Sequence, residues 1–228
     1  MSIAEKLTTI AENEQKVYEA GKQAEYDKFW DNFQQNGNRV VYSYAFMSDA
    51  WDNEIWKPKY NFYPSIAISM FENCSVTDCD LRNVGVTFNF SRCTNLNRAF
   101  RSFDGLVATG EINTTKAENI GQLFYACTNL KTASIVVGTK NTTISQAFQN
   151  CTSLENLTVS GTIAINGFNV QWSTKLTHDS LMSIINCLED KTSDTSGTVW
   201  KVTLGTDNIA KLTEDERMLI DVKGWVYD

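Results

Sequence analysis

The chain has 228 residues, with 20 basic against 27 acidic side chains and a net charge of −7. No run of Lys and Arg stands out, which argues against nucleic acid as a partner, because neutralising phosphates needs clustered cations. No apolar run approaches the roughly 18 residues of a membrane span, so no membrane insertion is expected. The opening MSIAEKLTTIAENEQ lacks the basic and apolar regions of a signal peptide, so the expectation is synthesis in a cytoplasm without export by that route. Six cysteines are present. Without a signal peptide, a disulfide framework loses weight as their explanation.

Residues 2–35 contain no proline and no early glycine, and good helix formers dominate. Ile3, Leu7, Ile10, Val17 and Ala24 follow a 3-4 spacing, with Glu14 and Gly21 at the missing positions of an imperfect heptad seam. Tyr26, Phe29, Trp30 and Phe33 follow i, i+3, i+4, i+7, a stronger apolar face, and Gly37 is a stop signal. Two uses fit this helix. Its aromatic face docks on the next segment and covers an open end, or its seam joins other copies or a larger assembly. Both can hold on different stretches.

Residues 42–63 hold Tyr42, Tyr44, Phe46, Trp51, Trp56, Tyr60, Phe62 and Tyr63 beside Asp and Asn. Such a segment caps a hydrophobic end, the commoner arrangement, or binds sugar by stacking and hydrogen bonding. Trp51, Trp56 and Tyr60 are the candidate ligand contacts.

A 24-residue period follows. Phe100, Phe124, Phe148 and Trp172 share one column, and Leu96, Ile120, Ile144 and Phe168 a second. Phe103, Cys127 and Cys151 form a third, and Leu106, Leu130 and Leu154 a fourth. Ile135 and Val159 continue a fifth, which Glu111 interrupts, with Ile112 one step away. An earlier copy, Phe71-Glu-Asn-Cys74, precedes Phe100 by 29 residues and implies an insertion, within which Val84, Val86, Phe88 and Phe90 alternate as in a half-buried strand. A 24-residue unit is too short for two helices and suits a β-solenoid or leucine-rich coil. Strands are expected near 132–137 and 156–161, stacked in parallel about 4.8 Å apart, with caps at both ends. A column that accepts Phe or Cys wants an apolar group, so Cys127 and Cys151 are read as small hydrophobes.

Past the repeat, Thr177 precedes Leu181, Ile184, Ile185 and Leu188 on one face, predicting a helix over 178–189. KTSDTSG reads as a loop and TVWKVTLG as a strand. Thr213-Glu-Asp-Glu216 is a capping box opening a helix that ends near Lys223-Gly224, and WVYD closes as a short strand. Asp190 and Asp194 lack the spaced ligand set of a calcium loop and read as a solvated turn.

No constellation points to catalysis. The one histidine, His178, opens a predicted helix, where a polar residue is ordinary. There is no G-x-S-x-G, P-loop, H-E-x-x-H or C-x-x-C. The expectation is no enzyme, no cofactor and no metal.

The phrase Ala147-Phe148-Gln-Asn-Cys151-Thr-Ser-Leu154-Glu-Asn-Leu157 resembles the BspA-like class of leucine-rich repeats, over roughly residues 65–175. The flanks, 17–37 and 176–213, resemble the ends of leucine-rich-repeat proteins encoded in phages and prophages of gut bacteria. The resemblance implies a β-rich leucine-rich-repeat solenoid of parallel short strands over 65–175. An N-terminal helix (1–37) would serve attachment or oligomerisation, an aromatic-rich cap (38–64) would follow, and a mixed α/β cap (176–228) would close the chain. It further implies a phage virion, tail or adhesion protein. Its partners would be other virion proteins through the N-terminal helix and a host-surface glycan or protein, and it would form a homo-oligomer such as a trimer. A host-encoded leucine-rich-repeat adhesin or interaction module is the alternative reading, and a glycan-cleaving tail enzyme the third.

Overall fold

The computed structural model describes residues 8, 9, 11–21, 24, 64–74, 77–83 and 88–228. Four strands, β1 (Cys79–Asp80), β2 (Leu106–Asn113), β3 (Thr132–Val137) and β4 (Asn156–Gly161), form a parallel sheet in that order. A second parallel sheet joins β5 (Phe168–Asn169), β6 (Trp200–Thr203) and β7 (Trp225–Tyr227). Helices α1 (His178–Cys187), α2 (Thr206–Ile209) and α3 (Glu214–Asp221) lie between and around these strands. Residues 11–21 are also helical. The described chain is therefore an α/β arrangement of parallel sheets with short helices.

The strands form where the sequence alternates. In β3, Ala133, Ile135 and Val137 are buried while Thr132, Ser134 and Val136 are half-buried on the other face, the period of two that strand geometry imposes. β3 pairs with β4 without a slip, from Thr132 with Asn156 to Val137 with Gly161, a constant offset of 24. Between β2 and β3 the register shifts between Ala108 and Glu111, so that Ile112 pairs with Ile135. That irregularity is why the apolar residue of the fifth column stands one step past Glu111. Gly161 closes β4 at φ +84, and a Cβ there would meet the Val137 carbonyl oxygen at 2.1 Å. Only glycine fits this approach.

Before each of strands β2 to β4 the chain runs through linked turns that also pair at the repeat distance. Leu96, Arg98, Phe100 and Ser102 donate their N–H groups to the carbonyls of Asn119, Gly121, Leu123 and Tyr125. Ile120, Gln122, Phe124 and Ala126 donate to Thr143, Ser145, Ala147 and Gln149. The alternate N–H groups stay within their own unit: Ala99 donates to Leu96, Arg101 to Arg98 and Phe103 to Phe100. This pattern requires left-handed backbone two residues before and two after each phenylalanine. Arg98 and Ser102, Gln122 and Ala126, and Gln146 and Asn150 all have φ between 53 and 61. Each costs a non-glycine residue about 1–2 kcal/mol, which the burial between them must offset.

That burial centres on a column of rings. Phe71 stacks on Phe100 at 5.2 Å, Phe100 on Phe124 at 5.3 Å, and Phe124 packs on Phe148 at 5.7 Å. Phe100, Phe124 and Phe148 are fully buried, each contributing about 1.5–3 kcal/mol by leaving water. Leu106, Leu130 and Leu154 are also fully buried.

The sheet's last strand, β4, is not left open. The N–H groups of Leu157 and Val159 donate to the hydroxyls of Ser180 and Ser183 on α1, at 2.9 and 3.1 Å. In return Ser183 donates to the Leu157 carbonyl and the Cys187 thiol to the Val159 carbonyl. The helix thus meets the hydrogen-bonding needs that an edge strand would otherwise offer to another chain. Thr177 caps α1 by accepting from Ser180 N–H, and Thr213 with Glu216 forms the capping box of α3.

Candidate functional site

The repeated cysteines lie inside, and none of the six forms a disulfide. The Cys127 thiol donates to the Phe100 carbonyl at 2.9 Å and Cys151 to Phe124 at 3.0 Å. Burial pushes Cys151 up to about 12 and Cys127 well above its ordinary value. Burial also raises Cys79 to about 12 and Cys93 to about 11. A thiol held protonated this firmly is a poor nucleophile and metal ligand. The sequence read these positions as purely apolar. The structure adds that Cys127 and Cys151 each tie one unit to the phenylalanine carbonyl of the unit before it.

His178 opens α1, and its Nε2 meets Glu216 Oε1 at 2.8 Å, linking α1 to α3. The Glu216 carboxyl is held below its usual range, first by the Thr213 N–H and then by the Thr213 and His178 side chains. Asp190 and Asp194 sit exposed in a turn segment, as read from the sequence. Asp190 accepts from the N–H and hydroxyl of Thr192, and Asp194 from Ser196 and from the Trp200 indole. Among the described residues no group of three or more His, Cys, Asp or Glu is placed to hold a metal, and no helix is long and apolar enough to cross a membrane.

Of the expected attachment residues, Val17 and Ala24 are helical and exposed, Val17 at 74%. Ile3, Leu7 and Ile10 lie outside the described residues, as do the ligand candidates Trp51, Trp56 and Tyr60, the docking face Tyr26, Phe29, Trp30 and Phe33, and Val84 and Val86.

One ladder residue is corrected. Trp172 does not continue the ring column. It is half-buried at the surface, and Phe168 packs on Phe148 instead at 5.6 Å. The reason is a shortened unit. The turn that closes Phe148 to Cys151 recurs as Val170 to Ser173, and Cys151 to Leu154 recurs as Ser173 to Leu176, 22 residues on rather than 24. Two missing residues bring Phe168 and Val170 inside, both fully buried, and carry Trp172 outward. β5, although within the span read as repeat, pairs with β6, Phe168 meeting Val202 34 residues on.

Two features are exposed to solvent on the repeated segment. The first is a side-chain ladder in which Arg98 Nε donates to Gln122 Oε1 at 3.1 Å and Gln122 Nε2 to Gln146 Oε1 at 2.7 Å. The second is a set of clefts. One, of about 400 Å³, includes Arg82, which pairs with Asp80 at 2.6 Å, and Glu111. Another, of about 770 Å³, carries Asp78, Asp104 and Lys131. A third, of about 430 Å³, lies where the shortened unit meets the previous one, and Trp172, Gln146 and Gln149 line it. Nothing in the sequence marks this last cleft, because the 24-residue column places Trp172 in the core. Set against known proteins, the chain matches no family model, no curated protein and no solved structure.

Proposed function

We propose that the chain is a short leucine-rich-repeat solenoid of the BspA-like class that works as a non-enzymatic adhesion component of a phage virion. The 24-residue pairing of β3 with β4, the turns linked at the same distance and the phenylalanine column support the solenoid reading. The observation that carries the binding role is the exposed Arg98–Gln122–Gln146 ladder. Three polar side chains are held in line by a backbone that repeats beneath them, so a surface is organised before any partner arrives, which lowers the ordering cost of recognition. The virion assignment comes from the sequence resemblance of the flanks. In this reading the exposed helical residues around Val17 face another virion protein or another copy of the chain.

Immunogold labelling of phage particles with an antibody against residues 100–170 tests the assignment. Label on particles is the expected result. Unlabelled particles, with antigen only in the host cytoplasm or on the host surface, would overturn it in favour of a host-encoded module.

A further inference from the structure

We propose that the cleft beside Trp172 binds a neutral saccharide, which names the ligand class of the host-surface binding proposed above and rests on that reading. The lining of the cleft carries no charge. Not one Asp, Glu, Lys, Arg or His is among its residues, although 21% of the chain is charged. The other two clefts carry both signs of charge. A site without charge in such a chain suits an uncharged ligand.

Its polar groups are amides and hydroxyls, and the fold leaves several of them unspent. Gln146 uses Oε1 to accept from Gln122, and its Nε2 has no partner among the described residues. Asn169 uses Oδ1 to accept from Gln171 N–H, and its Nδ2 is likewise unspent. Gln149 Oε1 is buried with no hydrogen-bond partner among the described residues. A buried acceptor without a partner is unfavourable, and Gln149 is among the residues that line the cleft. The side chains of Thr143 and Ser145 add two hydroxyls. Amides that both donate and accept match the paired hydroxyls of a pyranose, each of which does the same.

The one aromatic in the lining is Trp172, half-buried where the shortened unit has carried it out of the core. An indole combines a broad apolar face with a polar edge, the surface on which the C–H face of a sugar ring packs. One aromatic plate, several amides and hydroxyls, no charge and about 430 Å³ describe a site for the end of a neutral oligosaccharide.

Saturation-transfer NMR on the full chain with glucose, galactose, mannose, rhamnose and N-acetylglucosamine, each at millimolar concentration, tests this. Transfer to at least one sugar is expected. Trp172→Ala should weaken that binding about tenfold or more, and Gln149→Ala about threefold, with unchanged far-UV circular dichroism. Should Trp172→Ala misfold, Gln149→Ala alone decides the question. No transfer from any of the five sugars, or transfer that a folded variant leaves unchanged, overturns the site. Labelled virions without sugar binding would retain the virion reading and remove the cleft from it. Sugar binding that depends on Trp172, with unlabelled virions, would keep the site and remove the phage assignment.

Discussion

Residues 96–161 and residues 162–228 solve the same problem in opposite ways. The first segment repeats: the same backbone bonds and rings recur each 24 residues, and its side-chain ladders run at that offset. The second carries one last, shortened recurrence of those turns, to Leu176, and then holds together by polar anchors that occur once each. Lys223 Nζ donates to the carbonyls of Ile185, Asn186 and Leu188, closing the C-terminus of α1 with a charge from 35 to 38 residues away. Lys211 Nζ donates to the carbonyls of Thr174 and Leu176. Asn208, fully buried, donates to the carbonyls of Ser173 and Leu204. Along the first segment each turn finds its backbone partners in the turn about 24 residues on. Past it, helix ends and turn carbonyls have no such recurring partner and need individual ones.

The comparison breaks first at its strongest point. Phe124→Ala, between two rings of the column, should cost about 3–5 kcal/mol in urea unfolding. A loss below about 1 kcal/mol would mean that the column does not bear on stability. Lys223→Met removes the ammonium from three carbonyls and should cost about 2 kcal/mol, as charge-assisted hydrogen bonds do. Hydrogen exchange should then rise in α1 first while β3 stays protected; loss of protection in β3 at the same rate would show that the two regions are one cooperative unit. Ala126→Gly should do the reverse and stabilise the repeat, by less than about 1 kcal/mol. It relieves a left-handed alanine at φ 57 but gives back part of the gain as unfolded-state entropy. A destabilised variant would locate the strain elsewhere.

Acid should separate the two regions more gently. In the C-terminal segment Asp190, Asp194, Glu216 and Asp228 are all lowered. The first cause is hydrogen bonding to the Thr192 hydroxyl, the Ser196 N–H, the Thr213 N–H and Lys201 respectively. Ahead of the first segment Asp80 is lowered as well, by its hydrogen bond from Arg82. A carboxyl whose folded pKa is depressed contributes fully above its unfolded value and loses that contribution as pH falls through the folded value. Protection over 190–228 should therefore weaken first as pH drops below the ordinary carboxylate value near 3.8, a small effect because these groups are exposed. Simultaneous loss in both regions would remove the distinction. The smallest effect is expected from reductant. All six cysteines are thiols, so the Tm should not move, and a drop of many degrees would restore a disulfide framework.

Much of the first region was legible in the sequence. The stretches 132–137 and 156–161 are β3 and β4 to the residue, because alternation and period agreed there. The capping box at Thr213 and the helix after Thr177 were legible too, since local hydrogen bonding sets them. Trp172 was misplaced because a period read from three good copies was extended across a unit two residues short. The thiol hydrogen bonds were invisible for a different reason: Phe103 occupies the same column and cannot make them.

By itself, then, the sequence determined the period, the ring column as far as Phe148 and the local caps, all of which depend on neighbours in the chain or on residues one unit away. Tertiary structure alone decided how β4 is closed by Ser180 and Ser183, which carbonyls Lys211 and Lys223 meet, and that Trp172 faces solvent beside Gln149. Those contacts join residues that share no period and no motif. They exist because helix ends and strand edges must be satisfied wherever folding happens to leave them.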